Sequence, residues 1–352
     1  MSERVLHLID HMGLGGAQTV ICALLDFNEH EAHSMRTPNE KLDCKHSYTL
    51  TNRKSMLNSK CMLDTYRKVK KFNIDYIQCH MPIAKVVGIF IKILPTIDVD
   101  LIFHEHGSIY RGWIFYNIFI RISDRWVSKH VTVSNKAKEL LNENGIENEK
   151  IEVIRNFADV EKFSNSKLED FNLYQVSNLD DSSFKVGYAG RITGWKGWKD
   201  FVESARYTEN TDFLIAGDGK GVGELKEKIE SSNQIHYLGY IDDIRQLFNE
   251  IDCLVIPSHW DPNPLIFYES LASGVPVVAS RSDSLKEVTK HGGNCLEFEP
   301  EKPKQIADRI DQVRNNKDLR QKIINQGKDF AKKNSKSRFL NDFKDFYDEI
   351  DC

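Results

Sequence analysis

Apolar runs of strand length alternate with amphipathic stretches of helix length from one end of this chain to the other. A chain patterned in this way builds successive βαβ units, with parallel strands covered on both faces. In the first half, strands are expected at Val5–Ile9, Tyr48–Thr51, Tyr76–Cys79, Leu101–Phe103, Val131–Val133 and Glu152–Ile154, with helices in the gaps. A polar stretch rich in Asn, Asp and Ser, from Ser164 to Ser183, reads as a linker or long surface loop. The pattern then resumes, with strands at Lys185–Tyr188, Phe213–Ala216, Ile235–Tyr237, Cys253–Ile256, Val277–Ala279 and Cys295–Phe298. The fold class expected is therefore α/β, two Rossmann-like doubly wound domains, residues 1–165 and 166–336. The length of 352 residues suits two domains of about 150 each. In the final segment, 337–352, Phe339, Phe343, Phe346 and Tyr347 recur at helical spacing, which predicts a helix with one buried face.

Composition narrows the function classes. Forty-eight Lys and Arg against 52 Asp and Glu leave a formal charge of −4, too little to gather a polyanion, so nucleic acid is not an expected partner. The seven cysteines are scattered singly, with no C-x-x-C pair, which argues against a disulfide framework or a zinc site and for a reducing compartment. The opening MSERVLHLID carries acids within its apolar stretch and does not read as a secretory signal. The most apolar later run, Val86 to Phe103, is broken by Lys92, Pro95, Asp98 and Asp100, short of the roughly 20 apolar residues of a membrane span. A cytoplasmic location is expected. Arg36 to Lys71 holds ten basic residues against Glu40, Asp43 and Asp64. Such a run suits a solvated face or, more specifically, peripheral contact with an anionic membrane or a lipid diphosphate.

Three segments carry chemistry. In VLHLIDHMGLGGAQTV, Gly13, Gly15 and Gly16 fall where a strand gives way to a helix, and glycines there let backbone N–H groups approach an anion. The pattern is not G-x-G-x-x-G, and no acid closes a second strand about 20 residues on, so a nicotinamide site is not indicated. In FKVGYAGRITGWKGWKDFVESA, a strand ends at Gly190 and Arg191 and Lys196 follow in a glycine-spaced loop, a clamp for a diphosphate leaving group. In CLVIPSHWDPNPLIFYESLASGVPVVAS, a buried strand ends at Pro257 and a helix is expected to begin near Pro264, taken as a first-turn proline. This leaves the N–H groups of Leu265 and Ile266 for phosphate oxygens, while Glu269 within that helix suits vicinal sugar hydroxyls. Asp98-Val99-Asp100 has the form of a D-x-D metal motif but precedes its strand, the wrong edge for a ligand in this architecture.

The set GLGGAQ, HEHG, GRITGWKG, FLIAGDG, IHYLGYIDD and DPNPLIFYESLASGVPVVAS, in this order across nearly the whole chain, resembles the GT-B-fold glycosyltransferases of family 4, retaining enzymes that use sugar nucleotides. The resemblance implies that Arg191 and Lys196 hold the diphosphate, that Glu269 binds the ribose hydroxyls, and that backbone from Asn263 to Ile266 meets phosphate and sugar. It implies that His106 lies in the cleft beside the donor sugar, with Gly15 and Gly16 in the glycine loop facing the phosphate and Tyr240 near the base. It further implies that the 337–352 helix packs back on the first domain. Two positions depart from the family pattern: Asp261 stands one methylene short of the first acid of Glu-x7-Glu, and Phe157 replaces a glycine in VIRNFAD, where Asn156 is a cleft or hinge candidate. His104 shares a strand face with His106 and is a second histidine candidate.

The resulting expectation is transfer of a hexose or N-acetylhexosamine, with retention, from a nucleotide diphosphate sugar to a glycan or lipid-linked acceptor. Cell-surface polysaccharide or glycoconjugate synthesis is the setting. The reaction is expected to need no metal and no cofactor, with catalytic roles for His106, Arg191, Lys196 and Asp261. The alternatives are a GT-B sugar-nucleotide epimerase and a catalytically silent nucleotide-sugar-binding scaffold of a polysaccharide-assembly complex.

Overall fold

The computed structural model describes residues 4–13, 15–27, 30–36, 47–49, 59–107, 114–164 and 182–350. The chain divides into two compact units, one of residues 1–155 with 339–352, the other of 156–338.

The first unit is a seven-stranded sheet, parallel throughout, of order β3-β2-β1-β4-β5-β6-β7. Its strands are β1 Val5–His11, β2 His30–Arg36, β3 Ser47–Thr49, β4 Tyr76–His80, β5 Asp100–Glu105, β6 Lys129–Thr132 and β7 Ile151–Val153. Its helices are α1 Gly16–Leu24, α2 Ser59–Phe72, α3 Pro82–Lys92, α4 Ile114–Ser123 and α5 Asn135–Glu143. Side chains alternate across the strands. Leu6, Leu8, Ile77, Cys79, Leu101 and Phe103 feed an apolar core with Ala84, Val87 and Ile91 of α3. The intervening positions carry His7, Gln78, His80 and His104, all buried. Local chemistry fixes helix starts: Ser134 accepts the Ala137 N–H at 3.2 Å ahead of α5, and the Asp10 carboxylate accepts the Ala84 N–H at 2.9 Å in the first turn of α3.

The second unit is a six-stranded parallel sheet of order β10-β9-β8-β11-β12-β13. Its strands are β8 Phe184–Ala189, β9 Thr211–Ala216, β10 Ile235–Gly239, β11 Cys253–Ile256, β12 Val277–Ser280 and β13 Leu296–Phe298. The helices are α6 Val160–Ser164, α7 Trp198–Ser204, α8 Val222–Ile229, α9 Arg245–Glu250, α10 Leu265–Ser273, α11 Pro303–Asn315 and α12 Lys317–Lys333. Adjacent residues serve opposite layers: Leu214, Leu254 and Val277 pack with Phe267 and Leu271 of α10, whereas Phe213, Val255 and Val278 pack with Trp198 and Phe201 of α7. The final helix, α13 Lys336–Ile350, buries Phe339, Phe343, Phe346 and Tyr347; within the first unit, the Tyr347 hydroxyl donates to the Gln78 side-chain oxygen and Phe343 lies 5.7 Å from the His104 ring.

Several expectations are corrected. Strand β2, HEAHSMR, has no apolar run, yet His30, Ala32, His33 and Ser34 are buried in it, so the sequence pattern passes over it. The division between units falls after Arg155, ten residues before the expected boundary, because Ala158 and Phe163 belong to the second unit's core. Residues 165–181 of the expected linker, and 37–46 and 50–58 of the basic run from Arg36 to Lys71, lie outside the described residues. Cys22 on α1 is disulfide-bonded, whereas Cys79, Cys253 and Cys295 are free and buried, so the scattered cysteines are not all unpaired. Among the described residues no helix is long and apolar enough to cross a membrane.

Candidate functional site

Both strand orders reverse at the middle of the sheet, between β1 and β4 and between β8 and β11, and open α/β sheets bind ligands beyond the carboxyl ends of strands at such points. The sequence-derived residues follow those edges. In the second unit, the loop after β8 carries Gly190, Arg191 and Lys196, and the loop after β11 carries Asp261, Asn263 and Pro264.

These two loops are clamped together. The Lys196 ammonium is paired with the Asp261 carboxylate, which also accepts from Ser258 Oγ at 3.5 Å. Beside this pair, Trp195 and Trp260 stack with ring centres 5.5 Å apart, and the His259 N–H donates to the Trp195 carbonyl at 2.9 Å. The Arg191 guanidinium lies 5.3 Å from the Trp195 ring centre, within cation–π range. Gly197 makes this approach possible: its φ is +69°, and a Cβ there would stand 1.8 Å from the Pro257 carbonyl oxygen. Sequence reasoning missed both tryptophans; their positions, each next to a charged site residue, are the signal it could have used.

Pro264 is corrected from a first-turn residue to the N-cap of α10, with φ −73° and ψ 124°. Its carbonyl accepts the Phe267 N–H at 3.1 Å, and the N–H groups of Leu265 and Ile266 have no acceptor among the described residues. These donors sit at the positive end of the helix. The Asn156 amide donates to the Asn263 carbonyl at 2.5 Å, and Asn156 Oδ1 is buried without a partner. Asn156 therefore braces the helix start, leaving one acceptor unused. Glu269, half-buried on α10, makes no hydrogen bond or ion pair among the described residues. Burial pushes its carboxyl up to about 7, against the opposing charge of Lys162 and with a further push from Asp159 and Asp243. Tyr240 follows β10, two strands from β8, and is exposed.

The remaining three residues belong to the first unit. Gly15 is the N-cap of α1 and Gly16 its first residue, both exposed. A Cβ on Gly15 would stand 2.7 Å from Gln18 Oε1, whose buried amide donates to the His11 carbonyl at 3.1 Å. His106 follows β5, half-buried, with Nε2 2.8 Å from His80 Nδ1. Burial, with the Lys85 ammonium nearby, holds its imidazole down to about 3, so it is neutral at pH 7. His104 is buried and stacks on His106 at 4.0 Å between ring centres. Met81, between His80 and α3, adopts φ +72°, a strained value for a residue with a Cβ. The Asp98-Val99-Asp100 motif leads into β5 at the amino edge of the sheet, opposite the strand ends that carry these residues.

Chemically, the second unit offers two cations, two unbonded N–H groups on a helix N-terminus and a carboxyl with no partner, a set that suits a diphosphate joined to a polyol. The comparisons agree with this chemistry. Residues 2–162 match the family model described as Glycosyltransferase Family 4, and residues 170–330 match Glycosyl transferases group 1. An uncharacterized glycosyltransferase of Methanocaldococcus jannaschii is 27% identical over 168 residues, 46% of this chain and 43% of that protein. The UDP-Gal:alpha-D-GlcNAc-diphosphoundecaprenol alpha-1,3-galactosyltransferase of Escherichia coli is 24% identical over 298 residues, 74% of each chain. Among solved structures, Anabaena HepE in complex with UDP and glucose superposes with a TM-score of 0.84 at 19% identity, covering 99% of this chain and 100% of that one, a likeness of fold.

Proposed function

The chain belongs to the GT-B-fold glycosyltransferases, and on that premise we propose that it moves a hexose or N-acetylhexosamine from a nucleoside diphosphate sugar to a glycan or lipid-linked acceptor, with retention and without a metal. The observation that carries the donor assignment is the conjunction of the Lys196–Asp261 pair, the unbonded N–H groups of Leu265 and Ile266, and the partnerless Glu269. Uridine diphosphate sugars are the first donors to test, since the E. coli relative is named for UDP-Gal and HepE is described with UDP.

In the reaction, the bond between the anomeric carbon and the phosphate oxygen breaks while the bond to the acceptor oxygen forms. The acceptor proton passes to the departing diphosphate. The enzyme's task is to stabilise charge growing on that diphosphate, which Arg191, Lys196 and the α10 N-terminus perform as preorganised groups. Glu269 accepts from the ribose hydroxyls, and Asp261 meets the sugar from its place beside Lys196. The relatives are named as transferases, and neither the epimerase nor the silent-scaffold reading draws support from them.

For a lipid-linked acceptor the chain must meet a bilayer, and α3 and α4 supply a face for it. Val86 and Phe90 on α3, Ile93 at its C-cap, and Ile114, Phe115, Ile118 and Ile122 on α4 are exposed, Phe115 at 88%. The two helices are tied by the Lys85–Tyr116 hydrogen bond, and Lys92 and Arg121 stand at their ends, suited to anionic headgroups. This apolar face, rather than the basic run alone, is the docking element of the proposal.

The test is a transfer assay with UDP-hexoses and a polyprenyl-diphosphate-linked acceptor in excess EDTA, with the product's anomeric configuration read by NMR. Transfer with retention is expected. An inverted product, or activity that only Mg²⁺ or Mn²⁺ restores, contradicts the mechanism.

A further inference from the structure

The first unit's sheet carries a cluster of histidines that the transfer reaction does not explain. His30 Nδ1 lies 3.0 Å from His7 Nε2, His7 Nδ1 lies 3.1 Å from His80 Nε2, and His80 Nδ1 lies 2.8 Å from His106 Nε2. His104, in register with His80 on the neighbouring strand, completes the group. We propose that His80, His104 and His106 form a tris-imidazole site for a borderline divalent cation, Zn²⁺ in the first place, at the carboxyl edge of this sheet.

Three observations carry the assignment. One nitrogen from each ring lies within 4.8 Å of the others. Zinc–nitrogen bonds of about 2.0–2.1 Å set tetrahedral ligands about 3.3 Å apart, so the rings need only a modest adjustment, with His80 and His106, 2.8 Å apart, separating slightly. His106, half-buried and followed by Gly107 at φ +119°, is the ring with freedom to provide it. The second observation is His104 Nε2, which is buried with no hydrogen-bond partner and whose ring stacks on His106. A buried imidazole nitrogen left without a partner carries an unpaid desolvation cost, which ligation removes.

The third is a complete outer shell. A ligating histidine gives its other N–H to an acceptor, which fixes the tautomer. If His80 Nε2–H donates to His7, and His7 Nε2–H to His30, then His80 Nδ1 keeps its lone pair. His104 Nδ1 lies 2.9 Å from the Gln78 amide, whose other end meets the Tyr347 hydroxyl. A half-turn of that amide lets its oxygen accept from His104 Nδ1–H and its NH₂ donate to Tyr347, freeing the lone pair on His104 Nε2. All three lone pairs then converge. Neutral imidazoles favour zinc and its neighbours over Mg²⁺ or Ca²⁺, and three protein ligands leave a fourth position for water. The nearest buried cation, Lys85, is neutralised by its pairing with Glu105.

The test is calorimetric titration of the full, metal-free chain with ZnCl₂, beside His104→Gln, His106→Ala and Gln78→Leu. One equivalent should bind the wild type, with Gln78→Leu about 10–100-fold weaker and both histidine variants weaker still. MgCl₂ should give no saturable heat, and CoCl₂ should bring up the strong visible absorption of tetrahedral cobalt. Thermal melts without metal confirm that each variant is folded, and should His104→Gln fail that check, the half-buried His106 variant decides alone. Absence of saturable Zn²⁺ binding, or equal binding in wild type and every folded variant, overturns the site.

Discussion

Glu269 and Lys196 make different demands on a nucleotide sugar, and the difference is measurable. A carboxyl held up to about 7 is largely protonated in the free protein below that pH and must ionise to accept strongly from two hydroxyls. Affinity for UDP-hexose, whose diphosphate diester does not titrate near neutrality, should therefore rise between pH 6 and 8, and in Glu269→Gln this rise should vanish; calorimetry at three pH values checks it. The same shift has a stability sign. The folded state holds the Glu269 proton more tightly than the unfolded chain, so ionisation costs stability as pH rises from about 4.5 through 7, and Glu269→Gln should raise the melting temperature at pH 8 and leave it unchanged at pH 4. Lys196 acts instead on the leaving group. Its replacement by alanine should lower kcat by about 10²–10³, the scale of losing one preorganised charge-stabilising group, while circular dichroism stays native.

At the scale of elements, the clamp between the loops after β8 and β11 depends on Gly197 having no side chain. Gly197→Ala would force a Cβ into the Pro257 carbonyl at a positive φ, and should cost upwards of about 2 kcal/mol in denaturant unfolding. Helix α4 makes a separate prediction. Phe115→Asp should abolish cosedimentation with anionic liposomes while leaving stability near wild type, since this side chain is exposed; binding equal to wild type would remove α4 from the docking face. Most elements were legible because strands covered on both faces leave apolar runs, as Cys253–Ile256 does for β11. Strand β2 was not, because its buried positions are mostly histidines and a serine, a burial that no local apolar pattern displays. The Lys196–Asp261 pair was half legible: both residues stood out, but 65 positions of chain separate them, and their contact depends on the parallel pairing of β8 with β11. The histidine cluster was less so, since its members come from four strands and meet only through register.

For the whole molecule, ionisation on folding sets buried histidines of the first unit against Glu269 of the second. In the first, burial holds His30 down to about 3 and His33 well below its ordinary 6.5, and His130 is lowered by burial despite Asp124. Each binds its proton more weakly in the folded state than in the unfolded, so stability is full above pH 6.5 and falls as pH drops, at about 1.4 kcal/mol per pH unit per fully shifted histidine. Glu269 opposes them over pH 4.5–7, but the lowered histidines outnumber it. Denaturant unfolding at pH 7.5 and 5.5 should show a less stable chain at the lower pH, and equal stability would contradict the buried, neutral histidines.

The central claim is that the second unit holds a nucleoside diphosphate through Lys196, the α10 N-terminus and Glu269. Thermal-shift titration of the purified chain with UDP, GDP, ADP and dTDP, with Glu269→Ala alongside, tests it most directly, because a ligand bound only by the native state stabilises by about 2.7 kcal/mol at a hundred times its Kd. The account predicts that UDP raises the melting temperature of the wild type, and that the variant loses that rise. No shift with any of the four nucleotides, or an undiminished shift in Glu269→Ala, would contradict it.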